Sequence, residues 1–336
     1  MNRRTFLAAA GMAAARADEP RSKMGIAVTS YLSFGRPKDN LEFLEHANTL
    51  GAAGIQMPLT SREPEYVRKL RARAEQLGMY FEAIASLPGK DGVAAFEATV
   101  EAAKQAGALA VRVNCLPGRR YENFTNLADW RKAVAQSYEN IDAALRVVEK
   151  QQVPLAIENH KDWTADEMAA LMKAKASRWL GVCLDTGNNI ALLDDPMALV
   201  ETLAPYAVST HIKDMAVAPY ADGFLLSELP LGDGMLDMRR IVDTIRHARP
   251  ETRLTLEMIT RDPLKVPCLT DAYWATFPER NGLYLARTLR MVREPGRPLP
   301  GRPLPVVSGL SREAQLQLEE DNVKKSLVYA RERLGL

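Results

Sequence analysis

Val153-Pro154-Leu155-Ala156-Ile157-Glu158 is a short apolar run that stops at a carboxylate, and Thr164-Ala165-Asp166-Glu167 follows closely behind it. In the second segment a hydroxyl and a carboxylate stand at i and i+3. That spacing matches a capping box, in which each side chain satisfies a free N–H of the other residue, so a helix opens there. A continuous apolar run of this length, followed by a helix, reads as a strand buried on both faces.

The same unit recurs in both directions. Apolar runs at 25–31, 54–57, 80–85 and 109–115 precede the opening strand, and runs at 180–184, 207–212 and 253–256 follow it. Amphipathic stretches separate them. Gly51, Gly78 and Gly107 stand where three of these helices should stop, and Asp195-Pro196 supplies an N-cap carboxylate and an N1 proline for another. Eight strands alternating with helices predict an α/β chain with a parallel sheet closed into a (β/α)8 barrel. A doubly wound sheet would want a Gly-rich turn after the first strand, and Ser33-Phe34-Gly35 is not one.

The ends differ from the middle. Met1-Asn2-Arg3-Arg4-Thr5-Phe6-Leu7, a short Ala/Gly/Met stretch and Ala15-Arg16-Ala17 resemble a twin-arginine export signal with its cleavage site. Residues 1–17 are therefore expected to direct export to the periplasm, with no stable membrane insertion after removal. The barrel is expected over 24–292. Residues 259–282 form a long insertion carrying Tyr273, Trp274 and Phe277. Residues 293–336 hold a strap in which Gly-Arg-Pro-Leu-Pro occurs twice, followed by a helix from about Ser311 to Leu334. That helix should pack on the barrel or on a partner subunit of a homo-oligomer.

Composition narrows the function. The 44 basic and 42 acidic residues nearly balance, which gives no electrostatic footprint for nucleic acid. Three cysteines in no clustered spacing make neither a full disulfide set nor a thiolate zinc site. In a parallel barrel, chemistry gathers where the strands end. Strand five ends in Glu158-Asn159-His160, strand six in Asp185-Thr186-Gly187-Asn188, strand seven in His211-Ile212-Lys213-Asp214, and strand eight in Glu257. Glu158, Asp185, His211 and Glu257 thus reach one rim from four consecutive strands. Three hard oxygen donors and one nitrogen suit a single divalent ion, Mn²⁺, Mg²⁺, Co²⁺ or Zn²⁺, with positions left for substrate. His160, Arg112 and Lys213 are candidates for substrate oxygens. Lys161 is another, although a rim lysine is ordinarily solvated. Asp214 is placed to orient His211 or Lys213. Trp163 and the insertion's aromatics could wall a sugar ring or simply pack.

These strand ends, with Leu231-Gly232-Asp233-Gly234, resemble the xylose-isomerase-like barrels of sugar isomerases, epimerases and related lyases over roughly residues 24–292. The resemblance implies that Glu158, Asp185, His211 and Glu257 bind one metal. It also implies a carbohydrate substrate whose carbonyl that metal polarises. Glu158 and Glu257 would flank the acidified carbon, one removing a proton and the other returning one. Two positions depart from the family pattern. Asn188 stands where relatives usually carry a histidine and would donate to a substrate hydroxyl. No arginine follows His211. These departures suit a related carbonyl chemistry, such as β-elimination from a keto-sugar or a 3-keto-glycoside. DNA-repair endonucleases share the barrel but need three metals and more histidines than the four present. A non-catalytic sugar-binding barrel would have no use for an intact quartet.

Overall fold

The computed structural model describes residues 21–33, 35–116, 118–294 and 303–336. The proposed export signal, and the strap's repeat up to Arg302, lie outside the described residues.

The strands are β1 (Gly25–Ala27), β2 (Gly54–Pro58), β3 (Tyr80–Ile84), β4 (Ala108–Val113), β5 (Leu155–Glu158), β6 (Leu180–Asp185), β7 (Ala207–His211), β8 (Asp214–Tyr220), β9 (Gly223–Leu229), β10 (Thr255–Leu256) and β11 (Leu264–Val266). The helices are α1 (Asn40–Thr49), α2 (Pro64–Leu77), α3 (Val93–Gln105), α4 (Arg120–Asn123), α5 (Leu127–Gln151), α6 (Ala165–Lys175), α7 (Pro196–Leu203), α8 (Met238–Ala248), α9 (Asp271–Trp274), α10 (Gly282–Arg293) and α11 (Arg312–Leu334). Eight strands form one sheet in the order β10-β1-β2-β3-β4-β5-β6-β7, and every pair in it is parallel. Ile212 pairs with Leu256 and brings the two ends of the sheet together. The expected (β/α)8 barrel is therefore the observed fold.

Alternation along the strands decides what faces the barrel axis. On β5, Leu155 and Ile157 join the main apolar core beneath the helices. Ala156 packs instead with Ala110 and Cys183 in a small separate cluster. In each strand the residue two further on is Arg112, Glu158 or Asp185, so the small residues form a layer under a charged one. Helix caps hold the surrounding segments in place. The Thr164–Glu167 capping box forms as read, and Asn126, Asp195 and Ser311 cap their helices through side-chain oxygens.

Residues 214–229, to which the periodicity assigns no element, form the hairpin β8–β9, and β11 adds a third antiparallel strand. Alternating side chains on either side of Asp222-Gly223 carry the signal for it. Tyr273 and Phe277 pack with Phe224, Val217 and the buried turn 190–193, so the insertion's aromatics serve packing. The last helix α11 lies on the barrel. Glu319 accepts from the Ser33 and Gly35 amides, and Glu320 accepts from Tyr31 and contacts His46.

Asp214 does not orient His211 or Lys213. Its carboxylate accepts from the amides of Gly232, Gly234, Leu236 and Met215 and so gathers the Gly-Asp-Gly turn around itself. A Cβ at Gly234 would fall 2.1 Å from Asp214 Oδ1. Gly234→Ala is therefore expected to lower stability by about 1–3 kcal/mol, read as a shifted urea midpoint.

Candidate metal centre

Glu158, Asp185 and His211 are the last residues of β5, β6 and β7, and Glu257 follows β10 directly. Each offers one donor atom, and these four atoms lie within 4.8 Å of one another. His211 Nδ1 stands 3.5 Å from Glu158 Oε1, 3.8 Å from Asp185 Oδ2 and 3.3 Å from Glu257 Oε1. All four residues are buried.

The hydrogen bonds leave these atoms free to bind. Asp185 Oδ1 accepts from the amides of Gly187 and Asn188 at 2.8 and 2.7 Å, which turns Oδ2 inward. His211 Nε2 lies 2.6 Å from Gln56 Oε1. Gln56 Nε2 donates to Glu82 Oε2 and Ser209 Oγ, and Ser209 donates to the same Glu82 oxygen. With its amide nitrogen committed to Glu82, Gln56 presents its oxygen to His211. That arrangement makes Nε2 a donor to Gln56 and turns Nδ1 toward the three carboxylates, the place where a metal would take the position of its proton. Asp185 Oδ2, His211 Nδ1 and Glu158 Oε2 make no hydrogen bond among the described residues, and the two oxygens meet only the side-chain cations of Lys213 and Arg112. Buried polar atoms without partners are costly, and a cation answers all of them at once. The residues present therefore fit a divalent ion, with donors of the kind that Mn²⁺, Mg²⁺, Co²⁺ and Zn²⁺ accept.

Gln56, Glu82 and Ser209 were invisible as functional residues in the sequence, because strands β2, β3 and β7 meet them only across the barrel. Burial raises the Glu82 carboxyl above its ordinary value, against the pull of its Ser209 and Gln56 hydrogen bonds. Gln56→Leu removes the partner that fixes the His211 tautomer. Metal affinity is expected to fall by about 10–100-fold, measured by competition with a chromophoric chelator.

Cations crowd the same space. Arg112 contacts Glu158 Oε2. Lys213 donates to Glu257 Oε2, lies 3.0 Å from Asp185 Oδ2 and 3.6 Å from Glu228. Lys161 donates to Asn188 Oδ1, and Asn188 Nδ2 donates to Glu158 Oε1 at 3.0 Å. Lys161 and Lys213 are both buried, contrary to the solvated position expected of rim lysines. The β8–β9 hairpin brings Glu228 to within 3.6 Å of Lys213, an approach that sequence periodicity at strands five to eight does not show. Burial works against charge on Asp185 and Glu257, yet Lys213 and His211 prevail: Asp185 is lowered and Glu257 is held well below the usual carboxylate range. Burial and the neighbouring Lys213 and Arg261 pull the Lys161 ammonium down to about 7.

Asn188 thus touches a ligand carboxylate, and Arg112 and Lys213 touch the quartet directly. His160 is turned aside, its Nδ1 3.1 Å from the Gly118 carbonyl. Burial, Lys161 and Arg112 keep its imidazole well below its ordinary value. Glu228, which the sequence did not single out, bonds Arg261 at 2.7 Å and the Ile259 amide at 2.8 Å while facing Lys213.

Fold and quartet together define a (β/α)8 barrel with a candidate metal centre at its strand ends. The chain belongs to the xylose isomerase-like TIM barrel family, whose model matches residues 44–279. It is 28% identical over 236 residues to a 3-oxo-isoapionate decarboxylase of Pectobacterium atrosepticum, covering 66% of this chain and 81% of that protein. A D-psicose 3-epimerase solved in the presence of D-fructose superposes with a TM-score of 0.61 at 18% identity, over 93% of this chain and 99% of that one. The 3-keto-D-glucoside 4-epimerase of E. coli superposes with a TM-score of 0.56 at 13% identity, over 81% and 99%. At these identities the structural likeness speaks for the fold. The family is one of enzymes, with epimerases and a decarboxylase among the similar proteins.

Proposed function

We propose that this chain is a divalent-metal-dependent lyase that breaks a carbon–carbon bond beside the carbonyl of an anionic keto-sugar, with a 3-oxo sugar acid as substrate. One observation carries the reading. The second oxygens of both candidate bases are engaged by cations, Glu158 by Arg112 and Glu257 by Lys213. A carboxylate neutralised in this way is a weak base toward a carbon acid. Epimerisation through Glu158 and Glu257 needs both carboxylates free, whereas decarboxylation of a β-keto acid needs neither, because the departing carboxylate leaves its bonding pair behind. The 3-oxo-isoapionate decarboxylase relative supports the same choice.

A divalent ion bound by the quartet supplies Lewis acidity that polarises the substrate carbonyl. The chain's own residues do the rest. Arg112 and Lys213 offer charge to an anionic substrate, and Asn188 offers its amide to a hydroxyl. The buried surroundings keep bulk water from the reacting carbon.

A second reading, the ketose epimerase or isomerase, is favoured by the placement of Glu158 and Glu257 on either side of His211. It holds if Arg112 and Lys213 transfer to the substrate and release the two carboxylates. Incubating Mn²⁺-loaded protein with 3-oxo-isoapionate, with ketohexoses and with 3-keto-glycosides in D₂O separates the two. Carbon dioxide from the keto acid alone supports the lyase. A deuterated epimer without carbon dioxide would replace it with the epimerase.

We also propose that residues 1–17 export the folded, metal-loaded chain. Replacing Arg3 and Arg4 by lysine is expected to retain the protein in the cytoplasm, measured by cell fractionation.

A further inference from the structure

We propose that Lys161 is the acid–base residue of this site, exchanging a proton with the substrate carbon beside the carbonyl. The inference rests on the carbonyl chemistry proposed above and names the group that completes it.

Three cationic side chains contact the quartet or its immediate neighbour Asn188, and their partners differ. Arg112 pairs with Glu158, and Lys213 pairs with Asp185 and Glu257. Among the described residues Lys161 pairs with no carboxylate, and the Asn188 amide oxygen accepts from its ammonium. A buried ammonium facing only a neutral partner is an expensive arrangement, and a purely structural lysine gains nothing from it. The same arrangement makes the neutral amine accessible, which an acid–base group requires.

The backbone fixes where this side chain begins. Lys161 is paired with Arg119, and its carbonyl accepts from the Arg120 amide at 2.8 Å. From there the ammonium reaches Asn188, whose amide nitrogen holds Glu158 Oε1 at 3.0 Å. Lys161 is therefore one amide away from a metal-ligand oxygen without being a ligand itself. The charges around it are mixed. Lys213 and Arg261 oppose its protonation, Asp185 and Glu228 favour it, and burial opposes it most, which brings the group to about 7. His160 also feels Lys161, and it is kept neutral by burial, Lys161 and Arg112.

The step balances simply. When the carbon–carbon bond breaks, its electron pair moves toward the carbonyl and carbon dioxide departs. The enolate carbon then takes a proton from Lys161 Nζ as the pair returns to carbon, and the neutral amine regains a proton from water. Run backward from the ketone product, the neutral amine removes that same proton. With Glu158 and Glu257 engaged by cations, Lys161 is the free base of the site.

The test uses the full chain loaded with Mn²⁺ and the ketone obtained from 3-oxo-isoapionate by decarboxylation. Loss of its α-hydrogen signal in D₂O is followed by NMR against pH, with carbon dioxide release from 3-oxo-isoapionate measured in parallel. Wild-type exchange should rise with pH as the Lys161 ammonium gives up its proton, through a midpoint well below the ordinary lysine value. Lys161→Met should lose about 10²–10⁴-fold in exchange at unchanged metal stoichiometry, and added ethylamine should restore part of it. Lys161→Arg keeps the charge but cannot release a proton, so it should stay as slow as the methionine variant. Exchange within about threefold of wild type in Lys161→Met, or full recovery in Lys161→Arg, overturns the assignment. Wild-type exchange without carbon dioxide release overturns the lyase reading and leaves the role of Lys161 to be judged by the variants. If the wild type does neither, both proposals fall.

Discussion

His211→Ala is expected to bind a divalent ion at least about a hundredfold more weakly than wild type, and turnover should fall by about a thousandfold or more. The size of the effect follows from geometry. His211 is the single nitrogen donor, and its Nδ1 sits between all three carboxylates at 3.3–3.8 Å. Its removal leaves three buried carboxylates with no central donor. Treating the wild type with a chelator should abolish turnover, and readdition of metal should restore it. Because an ion bound by the folded chain alone stabilises by mass action, metal at a hundredfold excess over its dissociation constant should add about 2.7 kcal/mol. Metal analysis and thermal melts with and without added ion check both parts. An unchanged metal content in His211→Ala would remove the quartet as the binding site.

Lys213→Met should have the largest effect on stability. Its ammonium is buried among Asp185, Glu257 and Glu228, and together they hold its charge firmly in place. Removing one partner from a buried ionic cluster strands the others, at a cost of roughly 3–5 kcal/mol. The methionine stem fills much the same volume, so the loss is one of charge. Added divalent metal should recover part of the stability, because it neutralises the same carboxylates.

The pH dependence has a definite sign. Asp185 and Glu257 are lowered in the folded chain. Groups with depressed folded values contribute stability that is complete above their unfolded values, about 3.9 and 4.3, and that disappears as pH falls toward the folded values. Wild-type stability should therefore begin to fall near pH 4 and continue falling below it. In Lys213→Met the two carboxylates lose their cation and protonate at higher pH. The gap between variant and wild type should then be widest near neutrality and narrow in acid. Urea unfolding at several pH values measures this directly, and a gap that stays constant with pH would show that Lys213 acts through packing instead.

Much of this protein can be read along the chain because the relevant physics is local. Alternation and capping are set by neighbouring residues, so the eight strands, the Thr164–Glu167 box and the cap at Asp195 appear in the sequence as in the structure. The quartet was legible for the same reason. In a parallel barrel every strand ends on the same rim, so Glu158, Asp185, His211 and Glu257 share a phase that can be counted. The β8–β9 hairpin carries its own local signal in the turn at Asp222-Gly223.

Other features depend on closure of the barrel. Gln56 and Glu82 read as ordinary strand residues until β2 and β3 face β7 across the barrel axis and become the support of His211. Lys161 and Lys213 read as solvated until the closed barrel buries both, leaving one as the proposed acid–base group and the other as a structural charge. The sequence by itself determined the barrel and the four side chains of the candidate metal centre, since both follow from period and direction. Only the tertiary structure decided which of the surrounding cations are paired, because burial and pairing belong to contacts between segments far apart in the chain.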